Sequence, residues 1–303
     1  MIKAVIDIGS NSIKMRIARV IGGAVHVIRD ETEVVRLGRG MSSTGRLSEE
    51  SMKLSCEAVI RMVRRARHMG AEIFIAGTMA LRSAENSGTF VNMVKDSCGL
   101  DVHVLTGTEE ARYSWLGASE GFSIEGDAIM FDTGGGSTEF VSAHGREILR
   151  AVSVPVGAVN LTERFFADGS SPVRKSVCDE AMRYVERLFS DYGIEAFRKP
   201  GAEVIAVGGG VVAMSGVKNA CADFIPSKLH GTAITLRDVS RQIGLYSSLT
   251  SAERENIIGL PKSRADVILA SACIVRVALN TLDAHQCRVS INGLRHGILL
   301  CDI

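Results

Sequence analysis

One pattern, Asp-x-Gly-x-x-Ser, occurs twice, each time where a short apolar run gives way to alternating apolar and polar residues. Lys3 to Ile8 runs into Gly9-Ser10-Asn11-Ser12, and Ile13 to Val20 then alternates with period two. Ala128 to Phe131 runs into Asp132-Thr133-Gly134-Gly135-Gly136-Ser137, and Thr138 to Ala143 alternates in the same way. A continuous apolar run bounded by a turn reads as a buried strand, and alternation reads as a half-exposed one. The copies start 125 residues apart, at Asp7 and Asp132, which is close to one domain length. The repeat therefore predicts a duplicated domain core rather than two unrelated turns.

The segments between the copies fit an α/β fold. Val25 to Arg29 reads as a third strand, and Ser48 as the N-cap of a helix that Gly70 closes. Ile73 to Ala76 and Val102 to Leu105 read as short strands separated by a helical stretch from Thr89 to Cys98. A third glycine turn, Gly208-Gly209-Gly210, follows the strand Val204 to Val207 and leads into a helix. The glycines between Gly121 and Gly126 mark the expected boundary, giving domains 1–122 and 123–303. A last helical element at about 293–303 is a candidate to pack back on the first domain.

Composition narrows the function classes. With 35 basic and 34 acidic residues in 303, net charge is +1, so no global basic field points to nucleic acid. The seven cysteines are odd in number, form no CxxC pair and lie in apolar stretches. That predicts reduced thiols in the cytoplasm. The longest apolar stretch, Ala265 to Leu279, is broken by Asp266 and Arg276 and is too short to span a bilayer. No membrane partner is expected.

The turns themselves carry chemistry. Glycine lets backbone N–H groups approach an oxyanion, and the hydroxyls of Ser10, Ser12 and Ser137 add donors. Asp7 and Asp132 cannot hold phosphate directly, but a carboxylate at a strand end can hold a divalent cation that does. Counting alternation from Ser137 puts Glu139 on the same face. Glu109 and Glu110 follow the turn Thr106-Gly107-Thr108. They suit the positive end of a helix dipole, or one of them is a general base for an attacking water. Arg61, Arg64, Arg65 and His68 share a helical face, which reads as a solvated stripe near the helix end or as a guide for a polyanion.

The motifs, taken in order, resemble the exopolyphosphatase/guanosine-pentaphosphatase (Ppx/GppA) family. They are Ile6-Asp7-Ile8-Gly9-Ser10-Asn11-Ser12, Thr78-Met79-Ala80-Leu81-Arg82, Gly107-Thr108-Glu109-Glu110-Ala111-Arg112 and Asp132 to Glu139. Val156 to Leu161, Leu229-His230-Gly231, Arg264 to Ala270 and Gly293 to Gly297 continue the resemblance to the end of the chain. It implies duplicated ribonuclease H-like domains of the actin/Hsp70/sugar-kinase type with a cleft between them, gripping a phosphate chain from both sides. It implies Glu110 as general base, Arg82 as a phosphate ligand, and Asp132 and Glu139 as carboxylates for Mg2+ or Mn2+. Asp7, Gly9, Ser10, Asn11 and Ser12 match one phosphate loop, and Gly134, Gly135, Gly136 and Ser137 the other, with Gly208 and Gly209 beside them. The implied activity is release of terminal phosphate from polyphosphate, or conversion of guanosine pentaphosphate to tetraphosphate. A non-catalytic binder of these anions and an actin-fold ATPase or kinase are the competing readings. Long members dimerise, which puts a homodimer among the expectations. Long members also carry a further helical domain that this sequence does not reach, so a short two-domain form is expected. Many members have an acid where this chain has His296, and that position receives no role.

Overall fold

The strand endings that carry the two glycine turns are set by two similar sheets. The structure, a computed structural model, describes residues 1–301. It divides into two units: Met1–Gly117 with the segment from Asn292 onward, and Ala118–Ile291.

In the first unit the chain runs β1 (Ile2–Ile8), β2 (Ser12–Ile21), β3 (Ala24–Val34), α1 (Met41–Thr44), α2 (Glu49–His68) and β4 (Glu72–Gly77). It continues through α3 (Met79–Ser83), α4 (Ser87–Cys98), β5 (Val102–Val104) and most of α5 (Gly107–Ser119). The sheet order is β3-β2-β1-β4-β5, with β1 antiparallel to β2 and parallel to β4. Both faces of β1 are covered, which is why its sequence is apolar without alternation. Ala4, Ile6 and Ile8 face the cluster built with Met52, Val59, Met62 and Val63 of α2, whereas Val5 faces the opposite cluster.

The second unit holds β6 (Asp127–Thr133), β7 (Thr138–His144), β8 (Glu147–Val154), α6 (Ala158–Phe165) and α7 (Lys175–Asp191). Next come β9 (Glu203–Val207), α8 (Gly209–Lys218), β10 (Ala233–Thr235), α9 (Leu236–Ser247), α10 (Ser251–Arg254), α11 (Ile268–Thr281) and β11 (Gln286–Val289). Its sheet order is β10-β11-β9-β6-β7-β8. Strands β8, β7, β6, β9 and β11 thus occupy the places of β3, β2, β1, β4 and β5, and the duplication read from one turn extends to the whole sheet. This is the duplicated ribonuclease H-like, actin-type fold. The apolar stretch from Ala265 becomes α11, a helix packed in the core of this unit with Phe131, Ala206 and Val239. No helix among the described residues is long and apolar enough to cross a membrane.

The chain returns to the first unit as α12 (Leu294–Leu300), which covers the second face of β1 with Leu294, Ile298 and Leu299. Burying three such side chains contributes about 1.5–3 kcal/mol each. Arg16 on β2, only 5% exposed, fixes the start of this helix. Its Nη1 lies 3.0 Å from Asn292 Oδ1 and 2.9 Å from His296 Nδ1, and its Nη2 2.6 Å from Asp30. His296, without a role from sequence, is therefore a buried partner of Arg16. The close approach of α12 to α5 needs glycine, because a Cβ on Gly297 would overlap the carbonyl of Tyr113.

The helix caps sort acids into tasks. Ser48 caps α2 by accepting from Ser51 N at 3.1 Å, as read from the sequence. At α9, Thr235 and Asp238 form a reciprocal capping box, and Lys218 Nζ lies 2.7 Å from Asp238. Burial pushes the Asp238 carboxyl up, but the Lys218 and Thr235 bonds outweigh it and bring it from 3.8 down to about 2. A carboxylate lowered on folding adds stability above its unfolded value and loses it as pH falls through the folded one. Asp238→Asn is therefore expected to cost about 1 kcal/mol at pH 7, shrinking between about pH 4 and pH 2, measured by urea unfolding across that range. Gly297→Ala is expected to destabilise by about 1–3 kcal/mol in the same assay.

Candidate active site

The turn Gly9–Ser12 leaves β1, α3 leaves β4 and α5 follows β5, so three segments gather at the carboxyl ends of parallel neighbours. This is where open α/β sheets bind ligands. The parallel strands register as Ile8 beside Gly77 and Gly77 beside Val104. Thr78, buried, ties the first two ends by donating N–H and Oγ1 to Ile8 O.

The first turn is closed by Gly9 N–H to Ser12 O at 3.2 Å. The carbonyls of Ser10 and Asn11 do not face outward. Gly38 N–H donates to Ser10 O at 2.8 Å, and Val35 and Arg36 N–H donate to Asn11 O at 3.2 and 2.8 Å. The N–H groups of Ser10 and Asn11 have no acceptor among the described residues. Asn11 is 5% exposed, and its Nδ2 is a buried donor without a partner. Such a group costs free energy until an acceptor arrives.

The second turn repeats this with other residues. Gly134 N–H donates to Ser137 O at 2.9 Å. The three glycine carbonyls are then taken up by the start of α6. Ala158 N–H reaches Gly134 O at 2.9 Å, Val159 N–H reaches Gly135 O at 2.7 Å, and Asn160 Nδ2 reaches Gly136 O at 2.9 Å. Gly157 packs so tightly that a Cβ would lie 2.6 Å from Gly136 N. The N–H groups of Gly135, Gly136 and Ser137 have no acceptor among the described residues. Asn160 was not singled out in the sequence; its place three residues after Gly157 at a helix start is the signal that marks it.

Glu109 and Glu110 separate cleanly. Glu109 Oε2 accepts from Thr106 N–H and Oγ1, both at 2.8 Å, so it caps α5. Those bonds hold its carboxyl below the ordinary range. Glu110 instead is buried, with Oε2 3.0 Å from Arg82 Nη1. The same Nη1 also donates to Leu105 O at 2.8 Å, which leaves Nε and Nη2 of the guanidinium for an anion.

In the second unit the residues directly opposite each other on β6 and β7 include Asp132 and Glu139. Glu139 is 2% exposed and accepts from Ser153 Oγ at 2.7 Å. The equivalent pair in the first unit is Asp7 opposite Lys14, with 4.0 Å between the charged atoms. One copy thus sets a lysine opposite its aspartate and the other a second carboxylate, a pairing of like charges that a bound cation would relieve. No group of three or more His, Cys, Asp or Glu that suits a metal exists among the described residues. Two carboxylates are what Mg2+ takes from a protein when phosphate and water supply the rest. Gly208 packs on Thr133 O, and Arg264, which sequence reasoning left without a role, lays its guanidinium on Gly209.

Two arginines of the α2 stripe are paired on β3. Arg61 Nη2 pairs with Glu33 at 2.6 Å and Arg65 pairs with Glu31, two acids on one face of β3.

The chain is 28% identical over 299 residues to the guanosine-5'-triphosphate,3'-diphosphate pyrophosphatase of Photobacterium profundum, covering 98% of this chain and 58% of that protein. It therefore spans little more than half the length of that relative. It is 26% identical over 299 residues to a Haemophilus influenzae protein provisionally named exopolyphosphatase, covering 98% and 90% of the two chains. The structure of the Aquifex aeolicus PPX-GPPA enzyme matches with a TM-score of 0.82 at 29% identity, covering 100% of this chain and 99% of that one. The model of the Ppx/GppA phosphatase family matches residues 16–303, from the first unit through the second glycine turn to the end. On that match, the chain belongs to the Ppx/GppA phosphatase family.

Proposed function

We propose that this chain is a metal-dependent phosphohydrolase that releases the terminal phosphate of inorganic polyphosphate or converts guanosine pentaphosphate to tetraphosphate. The observation that carries this reading is the pairing of buried Glu110 with Arg82 at the carboxyl end of the sheet. A protein that only bound the anion would need the arginine but not a carboxylate beside it, since the carboxylate repels phosphate.

Phosphoryl transfer leaves little covalent chemistry to the protein, so positioning and charge neutralisation dominate. In the proposed roles, Arg82 and the open N–H groups of Ser10, Asn11, Gly135, Gly136 and Ser137 bind phosphate oxygens. Asn11 Nδ2 and the hydroxyls of Ser12 and Ser137 add donors. Gly208 and Gly209, at the N-terminus of α8, contribute the positive end of a helix. Glu110 Oε2 orients the attacking water and takes its proton, and the new P–O bond forms as the anhydride bond to the leaving phosphate breaks. Arg82 holds the Glu110 carboxylate aimed until the substrate competes for the guanidinium.

Asp132 and Glu139 are the residues that would hold a divalent ion, Mg2+ or Mn2+. When bound, the ion supplies charge neutralisation for the phosphate oxygens. Asp7, balanced by Lys14, orders the first turn in this reading and holds no ion. The relatives' names carry both candidate substrates, a guanosine pentaphosphate-type pyrophosphatase and an exopolyphosphatase.

Purified protein should release phosphate from polyphosphate or guanosine pentaphosphate with Mg2+ present. Glu110→Gln should lower kcat at least ~100-fold with little change in KM. Release by the variant at the wild-type rate would remove Glu110 from the reaction. Glu139→Gln should raise the Mg2+ concentration needed for half-maximal rate by roughly tenfold or more, and a chelator should abolish release. Isothermal titration with Mg2+ gives the same comparison without turnover.

A further inference from the structure

Asp132 and Glu139 belong to a longer row. The register that sets Asp132 on β6 opposite Glu139 on β7 also sets Glu139 opposite Ser153 on β8. Directly opposite residues project from one face of a sheet, so the three side chains share that face. Ser153 Oγ donates to Glu139 Oε1 at 2.7 Å. Glu139 is buried, so protein groups rather than bulk water set its rotamer. In the first unit the corresponding row is Asp7, Lys14 and Thr32. Thr32 is exposed and lies opposite a lysine, so a hydroxyl opposite a carboxylate belongs to the copy with two acids.

Ser153 is itself held from both sides of its strand end. Val156, just beyond β8, accepts from Thr138 Oγ1 at 2.6 Å, and Thr138 Oγ1 lies 3.2 Å from Thr133 Oγ1 on β6. Both threonines are buried. The same segment then enters α6, whose first residues take up the carbonyls of Gly134, Gly135 and Gly136. Residues 153–160 thus fix Glu139 at one end and mask the glycine turn at the other.

We infer that Ser153 is a positioning residue for the divalent ion, holding Glu139 in the rotamer that ligation requires and acting only through Glu139. It rests on the reading of Asp132 and Glu139 as ligands of that ion. A carboxylate that ligates through one oxygen can keep a donor on the other, and the donor orders the side chain before the ion arrives. Glutamate is long and flexible, so without the hydroxyl that ordering falls on ion binding. The same bond also draws charge from the carboxylate, which by itself would weaken ligation. Orientation and charge withdrawal therefore predict opposite signs for Ser153→Ala.

The test is isothermal titration of the full chain with Mg2+ in the presence of inorganic phosphate, without turnover. Wild type is compared with Ser153→Ala, Ser153→Thr, Glu139→Gln and Ser142→Ala, the last removing a hydroxyl elsewhere on β7. Ser153→Ala should weaken Mg2+ binding by roughly tenfold, the lower end for partners of metal ligands. Ser153→Thr, which restores the hydroxyl, should bind nearly as wild type does. In the phosphate-release assay Ser153→Ala should need more Mg2+ for half-maximal rate by the same factor and keep most of the rate at saturating Mg2+. Melting of each variant without Mg2+ is followed in parallel. A lower melting temperature for Ser153→Ala with unchanged Mg2+ affinity would make the serine structural only and overturn the inference. Tighter binding by Ser153→Ala, or an equal loss in Ser153→Thr or Ser142→Ala, would also overturn it. If Glu139→Gln weakens Mg2+ binding and Ser153→Ala does not, the ion site stands and the role of Ser153 falls. No Mg2+ binding by wild type, or none of it lost in Glu139→Gln, overturns the ion site and the inference together.

Discussion

A tight glycine turn presents carbonyl oxygens as readily as N–H groups, and an oxygen aimed at a phosphate repels it. Both turns in this chain resolve that conflict by giving their carbonyls another donor. In the first unit the donors are the N–H groups of Val35, Arg36 and Gly38, and in the second those of Ala158 and Val159 with the amide of Asn160. What remains are the N–H groups of Ser10, Asn11, Gly135, Gly136 and Ser137, without an acceptor among the described residues. Much else follows from this masking. It explains why Gly157 must lie flat on Gly135 and Gly136, and why Gly38 lies on Ser10.

The duplication is clear in topology and deliberately broken in charge. Asp7 and Asp132 occupy equivalent strand ends, and the residue opposite each is Lys14 in one unit and Glu139 in the other. The two copies thus share a strand pairing and differ in the charge placed across it. The acids at the start of α5 show a similar division between neighbours, since Glu109 turns back to Thr106 and Glu110 turns to Arg82.

The parts of the fold legible in sequence were those written in local pattern. The strand–turn–strand pattern at each copy and Ser48 as a cap needed no partner to be read, but β2 and β7, read from their alternation as half-exposed, are largely buried on both faces. The sheet order follows from the duplication once one copy is placed. What stayed hidden depends on contacts between distant segments. Nothing in the sequence near His296 announces Arg16, 280 positions away. The arginine stripe on α2 could be seen, but the pairing of Arg61 and Arg65 with Glu33 and Glu31 required the register of β3. Likewise the two glutamates of α5 are indistinguishable by composition, and only the helix phase assigns one to the cap and one to the arginine.

The place of α12 has a consequence for the order in which the molecule becomes complete. Residues 118–291 form a continuous stretch that contains every strand of its own sheet, so this unit can close on itself during synthesis. The first unit cannot. Val5 and Ala18 lie in strands made at the start of the chain, yet they pack against Leu294, Ile298 and Leu299 near its end. Until those residues emerge, one face of β1 and β2 has only part of its apolar cover. The half of the protein that is translated first is therefore the half that matures last, and its exposed strands are the surface a chaperone would meet.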